Sequence, residues 1–592
     1  MTDPRRLFDC LDYLLAKGDI PDLLAAKENG EWKKYSTSQV KSIVDQLSTG
    51  LINQGIGYND GSYEGRDKVA VISKNRPEWI MLDLAVQQTG AVLTPFYPTI
   101  NINELEFVLN DAQVKILFVN DRDGLEKINL IRHKVPSLQN IYSFEKLEGA
   151  AHWKELLIPT TDASLEKIRL VSSKVSDKDL ATIIYTSGTT GTPKGVMLSH
   201  ENILTNVQAC VPCFPPSELR ALSFLPLNHI FERMITYFYL YKGASIYYAE
   251  SLETIGDNLK EVKPTIFTTV PRLLEKVYDK IMAKGSELTG IKKKLFFWAH
   301  DLAAKFELNT NQGAWYNLRL AIANKLIFKK WREALGNNLV AVVSGGAACQ
   351  VRLIRIFTAA KIPIMEGYGL TETSPVISVN RFQEAGRMLG TVGPVIDNVE
   401  VKIAEDGEII CRGPNIMLGY YKRPDLTSDV IVDGWFHTGD IGTMVNDEFL
   451  KITDRKKEMF KTSGGKYVAP LSIENKLKES IYIEQVMVLG ADKKFVGALI
   501  VPSFPNLKDW AKQQGITNLS NESLVNDPKV KELYKNLIDS FNQFFNHVEQ
   551  VKKFELLSKE WGIEGGELTP KMSLKRKVVM EKNQAAIDRI YH

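Results

Sequence analysis

Residues 181–197 read Ala-Thr-Ile-Ile-Tyr-Thr-Ser-Gly-Thr-Thr-Gly-Thr-Pro-Lys-Gly-Val-Met, a short apolar run followed by a loop rich in glycine and threonine. Glycines let the backbone turn tightly and bring N–H groups close to an anion, while hydroxyls and one lysine add donors and positive charge. The loop is not a Walker A motif, because no Gly-Lys-Ser/Thr opens a helix here. A flexible linker would have fewer threonines and no strand-like run before it. The residues therefore predict a loop that binds nucleotide phosphates. Its predicted contacts are Thr186, Ser187, Gly188, Thr189, Thr190, Gly191 and Lys194.

Helical and strand-like patterns alternate on the N-terminal side of this loop. Strand-like runs occupy 69–73 and 115–120, and helical apolar spacing covers 79–88. Such alternation is typical of α/β folds with mostly parallel sheets and helices on their faces. The chain has 592 residues, more than one core normally serves, so we expect at least two domains. Residues 475–592 mix strand-like and helical runs, which predicts a small α+β domain.

Two more glycine-containing turns follow strand-like runs, at Gly345-Gly346-Ala347 and at Glu366-Gly-Tyr-Gly-Leu-Thr-Glu-Thr373. The carboxyl ends of strands are where α/β sheets bind ligands. Tyr368 can stack on a purine, and Thr371 can donate to a phosphate oxygen. Glu372 can hold Mg²⁺, which prefers a carboxylate together with substrate phosphate oxygens. An ordinary glycine-rich turn with this glutamate on the surface is the alternative.

Three other features have plain interpretations when only their residues are considered. His229 is typical of a satisfied core histidine. The segments 434–440 and 452–470 are compatible with a turn and a solvated basic face. The basic helical patterning of 258–340 also predicts a solvated face, with attraction to anionic phospholipid or to the phosphates of coenzyme A as the alternative.

The glycine-rich loop resembles the signature loop of the adenylate-forming superfamily, which includes acyl-CoA synthetases, luciferases and peptide-synthetase adenylation domains. The segments 366–373, 434–440 and 452–470 resemble further motifs of the superfamily and occur in its order. The resemblance therefore covers essentially the whole chain. His229-Ile-Phe-Glu-Arg233 and Lys461-Thr-Ser-Gly-Gly-Lys-Tyr-Val-Ala-Pro470 resemble the long-chain fatty acyl-CoA synthetase subgroup most.

The resemblance implies a large N-terminal adenylation domain over 1–453, a hinge at 454–457 and a small mobile C-terminal domain over 458–592. It also gives Tyr368, Thr371 and Glu372 the roles proposed above. A carboxylate suits a ribose because it only accepts hydrogen bonds. The further residues with implied roles are Asp440 and Arg455 at the ribose, His229 at the acyl pocket, Lys457 at the hinge, and Gly464 and Gly465 at the pantetheine tunnel.

The catalytic lysine of the superfamily is expected within 566–577, which reads Gly-Glu-Leu-Thr-Pro-Lys-Met-Ser-Leu-Lys-Arg-Lys. Lys571 fits its position, although Pro570 stands where glycine is usual. Long-chain members often read Thr-Pro-x-x-Lys, and that lysine position is Ser573 here, so Lys575 is the rival. In the structural alternative, Lys571 is a lysine in the first turn of a helix. A cation is poorly placed at that positive helix end, which favours an anionic partner for it.

The resemblance implies an AMP-forming long-chain fatty acid–CoA ligase that uses ATP, Mg²⁺ and coenzyme A. Thr371, Glu372 and Lys571 are its expected catalytic residues, with Glu372 as the metal ligand. Within the superfamily, the alternative is transfer of the acyl group to acyl carrier protein. Pro570 and Ser573 depart from the usual lysine loop. The alternative from another functional class is therefore a nucleotide-binding regulator without catalytic activity.

The composition limits the classes of binding partner and the cellular compartment that we expect for this protein. A formal net charge of +3 and a pI of about 8.3 are too small for a nucleic-acid binder. Five cysteines, an odd and small number, suit a reducing compartment and predict buried thiols. No signal peptide or spanning segment is apparent, so we expect a cytoplasmic protein, with peripheral contact at the inner membrane face left open. The aromatic-rich run 234–248 predicts core rather than a docking surface, and no pattern indicates an oligomeric state.

Overall fold

The computed structural model of this chain describes residues 3–187, 192–215, 218–562, 564–568 and 574–591. Some residues discussed above lie outside these ranges, namely Gly188, Thr189, Thr190, Gly191, Pro570, Lys571 and Ser573. Ser187 is described by its backbone, where it ends a strand, but not by its side chain.

Strands alternate with helices over most of residues 24–379, as the sequence pattern predicts. In chain order, the strands are β1 (Leu24–Glu28), β2 (Glu31–Tyr35), β3 (Lys68–Ile72), β4 (Val92–Phe96), β5 (Val114–Val119), β6 (Asn140–Ser143), β7 (Ala151–His152), β8 (Leu180–Ser187), β9 (Pro193–Ser199), β10 (Arg220–Ser223), β11 (Ser245–Tyr248), β12 (Ile266–Thr269), β13 (Ala341–Ser344), β14 (Ile364–Gly369), β15 (Val376–Val379), β16 (Glu400–Ile403), β17 (Glu408–Arg412), β18 (Gly419–Tyr420), β19 (Ile431–Val432), β20 (Trp435–Val445), β21 (Phe449–Arg455), β22 (Phe460–Lys461), β23 (Tyr467–Val468), β24 (Ile483–Leu489), β25 (Val496–Pro502) and β26 (Val551–Leu556).

The helices connect these strands and cover the sheets. They are α1 (Asp9–Lys17), α2 (Thr37–Asn53), α3 (Pro77–Gln88), α4 (Ile102–Asp111), α5 (Arg122–Ile131), α6 (Asp162–Ser172), α7 (His200–Cys210), α8 (Ile230–Lys242), α9 (Ile255–Val262), α10 (Pro271–Glu287), α11 (Gly290–Ala304), α12 (Ala314–Ala323), α13 (Lys329–Ala334), α14 (Val351–Ala359), α15 (Pro424–Val430), α16 (Pro470–Leu477), α17 (Phe504–Gln513), α18 (Asn521–Asn526), α19 (Pro528–Asn542), α20 (Arg576–Lys582) and α21 (Gln584–Tyr591).

Two eight-stranded sheets confirm the predicted α/β fold with mostly parallel sheets. The first has the order β15-β14-β13-β12-β10-β11-β1-β2, and the second has the order β18-β9-β8-β4-β3-β5-β6-β7. Antiparallel pairs occur towards the edges, at β14–β15 and β1–β2 in the first sheet and at β18–β9–β8 in the second. The central strands β3 and β4 are buried at every residue, as expected when helices cover both faces of a sheet.

A third sheet, which the sequence pattern did not predict, follows the two parallel ones. It is antiparallel, with β16-β17-β20-β19 in order and β21 paired with β20. The C-terminal residues form a separate three-stranded sheet, β24-β25-β26, packed with α16 and α19. One apolar core spans residues 468–590, while the other cores lie within residues 7–450. The predicted hinge thus lies where one set of cores ends and the other begins.

A fully buried ion pair joins the helices α3 and α8. The guanidinium of Arg233 donates to both carboxylate oxygens of Asp83, over 2.8 and 2.5 Å, and to the hydroxyl of Thr182. The hydroxyl of Tyr237 also donates to Asp83, over 2.7 Å. Both charged side chains have no exposed surface. Arg233 is therefore a structural residue of the core.

We expect Asp83→Ala to destabilise the fold by about 3–5 kcal/mol, because it leaves a buried guanidinium without its carboxylate. Thermal and denaturant unfolding would measure the change. Asp12→Ala is the control, since the Asp12 side chain on α1 is 66% exposed. The paired replacement Asp83→Leu with Arg233→Met should restore part of the loss. Equal melting temperatures for Asp83→Ala and Asp12→Ala would contradict this role.

Candidate active site

A cavity of about 2210 Å³ lies at the carboxyl ends of β12, β13 and β14 and extends to the C-terminal residues. Strand ends in α/β sheets are ligand sites because the following turns are free to vary. Most described members of the predicted site contribute to its wall. These are Thr186, Lys194, His229, Gly345, Gly346, Ala347, Tyr368, Thr371, Glu372, Asp440, Arg455 and Lys457.

Tyr368, Asp440 and Arg455 form one hydrogen-bonded and charged group in the cavity wall. The Tyr368 hydroxyl donates to Oδ2 of Asp440 over 2.7 Å, although the two residues lie on different sheets. Asp440 and Arg455 are opposite each other on β20 and β21, with Nε 3.6 Å from Oδ1. Burial raises the pKa of Asp440, and the tyrosine and the guanidinium oppose that shift. The group offers an aromatic face, a carboxylate and a half-exposed cation to one ligand.

Glu372 lies beside Tyr420 and Lys194, two residues that no sequence pattern connects with each other. The hydroxyl of Tyr420 donates to its Oε1 over 2.8 Å. Lys194 lies over the Tyr420 ring, with Nζ 4.2 Å from the ring centroid. Burial lowers the pKa of Lys194, while the nearby Glu372 carboxylate opposes the shift. An acidic and a basic group thus face the same space beside the glycine-rich loop.

Gly345, Gly346 and Ala347 lie in a turn that a buried carboxylate supports. The backbone N–H of Cys349 donates to Oε1 of Glu366 over 2.7 Å. Complete burial raises the pKa of Glu366 to about 7. Gly346 has a φ of +81°, a conformation that L side chains rarely adopt. This arrangement fixes the turn against the end of β14, where Tyr368 is located.

Glu408 supports the part of β20 that precedes Asp440. It accepts hydrogen bonds from the Gly439 backbone N–H over 2.8 Å, from Lys456 over 2.8 Å and from Nδ1 of His437 over 3.0 Å. Gly439 has a φ of +74° and open space beside its Cα. Lys456 also reaches Asp406 over 2.6 Å. The part of β20 that precedes Asp440 is therefore connected to Lys456, within the predicted hinge.

An apolar part of the cavity starts beside His229. The Phe231 backbone N–H donates to Nδ1 of His229 over 3.2 Å, so the histidine caps the start of α8. The apolar lining near it consists of Cys210, Phe214, Phe231, Ile235, Val376 and Val379. The run 234–248 is almost entirely buried in α8 and β11, which confirms the prediction that it is core. All five cysteines are buried and none forms a disulfide, which confirms the predicted buried thiols.

The predicted hinge connects the two parts of the chain through polar contacts. Asp454 is buried, and its Oδ2 accepts from the backbone N–H of Leu471 at the start of α16, over 3.2 Å. Burial raises the pKa of Asp454 to about 6. Lys457 is exposed in the cavity wall. On the opposite side, Arg272 at the start of α10 forms an ion pair with Glu484 on β24.

Gly464 and Gly465 are not part of the cavity wall. They lie in the exposed turn between β22 and β23, and Gly465 has a φ of +76°. Their role at a pantetheine tunnel stays a prediction. The same holds for Gly188, Thr189, Thr190, Gly191 and Lys571, which lie outside the described residues.

Comparisons with known proteins identify the family of the chain. The family model for AMP-binding enzymes matches residues 17–421, and the model for their C-terminal domain matches residues 458–592. The chain belongs to the AMP-binding enzyme family. It is 32% identical to the long-chain-fatty-acid–CoA ligase FadD15 of Mycobacterium bovis, over 97% of this chain and 95% of the relative. It is also 32% identical to long chain acyl-CoA synthetase 3 of Arabidopsis thaliana, over 98% and 89%. The resemblance stated from the sequence motifs is thereby confirmed.

Solved structures of AMP-binding enzymes share the fold. The adenylation domain of carboxylic acid reductase from Segniliparus rugosus, in complex with AMP and a co-purified carboxylic acid, aligns with a TM-score of 0.73 at 18% identity. The alignment covers 99% of this chain and 94% of that structure. The anthranilate CoA ligase AuaEII in complex with anthranoyl-AMP aligns with a TM-score of 0.72, also at 18% identity, over 98% and 97%. These likenesses confirm the α/β fold class.

Tyr420, Glu408 and Glu366 are the site residues that sequence reasoning missed. Tyr420 is 48 positions from Glu372, and neither local spacing nor a neighbouring motif indicates their contact. Glu408 lies 31 positions before Gly439 and in a different strand. Glu366 begins the motif 366–373. Its burial and its contact with Cys349, however, depend on the packing of β14 against β13.

Proposed function

We propose that this member of the AMP-binding enzyme family is an AMP-forming ligase that converts a long-chain fatty acid to its acyl-CoA thioester. The observation that carries the proposal is one cavity in which the Tyr368–Asp440–Arg455 group continues into an apolar region beside His229. A nucleoside monophosphate suits the first part, and an alkyl chain suits the second. The near full-length similarity to long-chain-fatty-acid–CoA ligases supports the same acyl class.

The first half-reaction joins two anions. An oxygen of the fatty acid carboxylate attacks the α-phosphorus of ATP, the bond to pyrophosphate breaks, and an acyl-adenylate forms. Charge neutralisation and in-line positioning supply most of the rate in such phosphoryl chemistry. Asp440 and Arg455 hold the ribose, Tyr368 packs on the adenine, and Lys194 with the glycine-rich loop stabilises the departing pyrophosphate. Thr371, which is 5% exposed, donates to an α-phosphate oxygen.

Magnesium fits the position of Glu372. Mg²⁺ is bound in nucleotide sites by one or two carboxylates together with substrate phosphates, and retains several waters. Glu372 supplies one such carboxylate, half-buried in the cavity wall and oriented by the Tyr420 hydroxyl. When bound there with ATP, the ion would neutralise phosphate charge. Tyr420 would then orient the carboxylate, and Lys194 would contact the phosphates beside it.

The second half-reaction needs a different set of groups. The thiolate of coenzyme A, formed by loss of the thiol proton to solvent, attacks the acyl carbonyl carbon, the bond to the phosphate oxygen breaks, and AMP leaves with the thioester formed. Pyrophosphate no longer needs its cations, so the small domain can turn and present another face. We place the hinge at 454–457 around Lys457, the large domain at 1–453 and the small mobile domain at 458–592. Gly464 and Gly465, on their exposed turn, are the proposed contacts for pantetheine.

A panel of carboxylic acids of increasing length tests the proposal. We expect AMP and acyl-CoA to form in equal amounts with palmitate and oleate, and much more slowly with acetate and butyrate, because a short acid leaves the apolar part of the cavity unfilled. Chromatography of nucleotides and thioesters would measure both products. Acyl carrier protein, added in competition with coenzyme A, should remain unacylated. A preference for short acids, or AMP without thioester, would contradict the proposal.

Peripheral contact with a membrane is part of the proposed function. Every helix in the described part of the chain is too short or too polar to cross a bilayer. A long-chain fatty acid nevertheless partitions into bilayers, since each buried methylene contributes about 0.8 kcal/mol. We propose that the enzyme obtains its substrate at a membrane surface.

A further inference from the structure

One outer surface of the large domain combines exposed apolar and basic side chains, and we call it the basic apolar surface. It is formed by α11, α12 and the residues that follow α12. Its apolar side chains are Ile291, Leu295, Trp315, Leu318, Ile322 and Leu326. Its basic side chains are Lys292, Lys294, Arg319, Lys325, Lys329 and Lys330. Trp315 is 71% and Ile291 76% exposed, values that are unusual for such large apolar side chains.

The geometry of α12 turns its apolar side chains outward. Trp315, Leu318 and Ile322 have the spacing of one helical face, and Leu326 follows in the π-helical segment Asn324–Phe328. The opposite face of α12 packs against the core through Tyr316, Leu320 and Ala323. Within the described ranges, nothing covers the outward face. Arg319 joins it to α11, with its guanidinium carbon 5.6 Å from the Trp298 ring centroid.

The charges around this apolar face are mostly uncompensated. Lys329 approaches Glu333 at 3.7 Å, and Lys293 donates to the Ser286 backbone oxygen. In the described part of the chain, Lys292, Lys294, Lys325 and Lys330 form no ion pair. The basic pattern of 258–340 was expected to be a solvated face. Solvation explains the lysines, but it does not explain six exposed leucine, isoleucine and tryptophan side chains on two adjacent helices and the segment that follows them.

We propose that the basic apolar surface docks on an anionic phospholipid bilayer. Apolar side chains can enter the boundary between headgroups and acyl chains, while the lysines contact the negative headgroups. Charge complementarity favours this partner over a second copy of the chain, because a two-fold contact of this surface would bring lysines against lysines. The proposal rests on the proposed function, in which the substrate is dissolved in a bilayer.

The position of this surface connects it with the cavity. The helix α10 begins at Pro271 and Arg272, which line the cavity, and it packs against α11. The helix α11 in turn packs against α12. One helical layer therefore extends from the cavity wall to the basic apolar surface, and docking would keep the cavity close to the membrane that holds the substrate.

Co-sedimentation of the full-length protein with vesicles tests the proposal without any substrate. We expect binding to vesicles of phosphatidylcholine mixed with phosphatidylglycerol, and little binding to phosphatidylcholine alone. Salt should weaken it, because the Debye length falls to about 3 Å at 1 M. Replacing Lys292, Lys294 and Lys325 together by glutamate should reduce binding about tenfold or more. The double variant Trp315→Ser with Leu318→Ser should also reduce it, by the loss of apolar insertion.

Matched controls distinguish an effect of this surface from the effect of changing exposed leucines or lysines elsewhere on the protein. Leu130→Ser with Leu170→Ser removes two leucines that are 66% and 59% exposed elsewhere, and Lys531→Glu with Lys535→Glu reverses charges on α19. Both control variants should bind like the unchanged protein. All variants should retain acyl-CoA formation from detergent-dispersed oleate, which detects misfolding and tests the proposed function separately. The proposal would be overturned by equal binding to both vesicle types or by unchanged binding of the surface variants. It would also be overturned if the unchanged protein were a dimer and the surface variants were monomers, since the surface would then bind a second copy of the chain.

Discussion

Replacement of Lys571 by alanine should lower the rate of adenylation by about 10² or more, in the range of losing one charged donor to a transition state. The reaction brings a carboxylate onto a triphosphate, so the loss of a cation near the α-phosphate and the acyl oxygen is costly. The described residues on either side of the segment, Leu568 and Leu574, both line the cavity and pair with each other. Fatty-acid-dependent exchange of pyrophosphate into ATP measures this half-reaction directly.

Lys575→Ala is the matched control, and we expect it to have a much smaller effect. The backbone N–H of Lys575 donates to the Glu567 oxygen over 2.8 Å, and Lys575 immediately precedes α20. The next residue, Arg576, is held by Glu474 over 2.6 Å. Thioester formation from supplied acyl-adenylate should be nearly unchanged in Lys571→Ala, because in that step the small domain has turned and presents another face to the cavity. Equal losses in both variants, or a larger loss for Lys575→Ala, would assign the catalytic role differently.

The order of motifs made most of the site predictable. Strand-like runs before Gly345 and before Tyr368 indicated turns at strand ends, and the structure brings both turns to one cavity. Asp440 and Arg455 were assigned to the same ribose by resemblance, and they face each other across two antiparallel strands. The motifs anticipated this proximity because each combines a local backbone requirement, such as a tight glycine turn, with a side chain beside it, while the roles of these side chains stay predictions.

Contacts between distant segments were not predictable in the same way. Asp83 and Arg233 are 150 positions apart, and their pairing depends on how α3 and α8 pack together. The antiparallel sheet was missed in part because its edge strands β16 and β19 span only four and two residues, too few for a period of two to stand out. Helical periodicity also predicts a face without saying whether protein or solvent covers it, so the exposure of Trp315 needed the structure.

Replacement of Glu372 by glutamine should have the second large effect, a loss of about 10²–10³ in adenylation. The amide keeps the shape of the side chain and can still accept from the Tyr420 hydroxyl, but it removes the negative charge. A neutral oxygen is a poor ligand for Mg²⁺, which prefers carboxylates and phosphates. Initial rates measured against Mg²⁺ concentration should remain low at saturating ATP. Recovery of the full rate at high Mg²⁺ would mean that the carboxylate only raises metal affinity.

Tyr420→Phe separates orientation of the carboxylate from its charge. It removes the 2.8 Å hydrogen bond to Glu372 and leaves the ring under Lys194, so we expect a higher Mg²⁺ requirement and a loss of about tenfold, as for other groups that orient a metal ligand. Tyr421→Phe is the control, because this neighbouring side chain is 2% exposed and its hydroxyl has no hydrogen-bond partner among the described residues. If both variants behave alike, the tyrosine hydroxyl does not position Glu372. If Tyr420→Phe changes only the maximal rate and leaves the Mg²⁺ dependence unaltered, the hydroxyl acts on the phosphates instead.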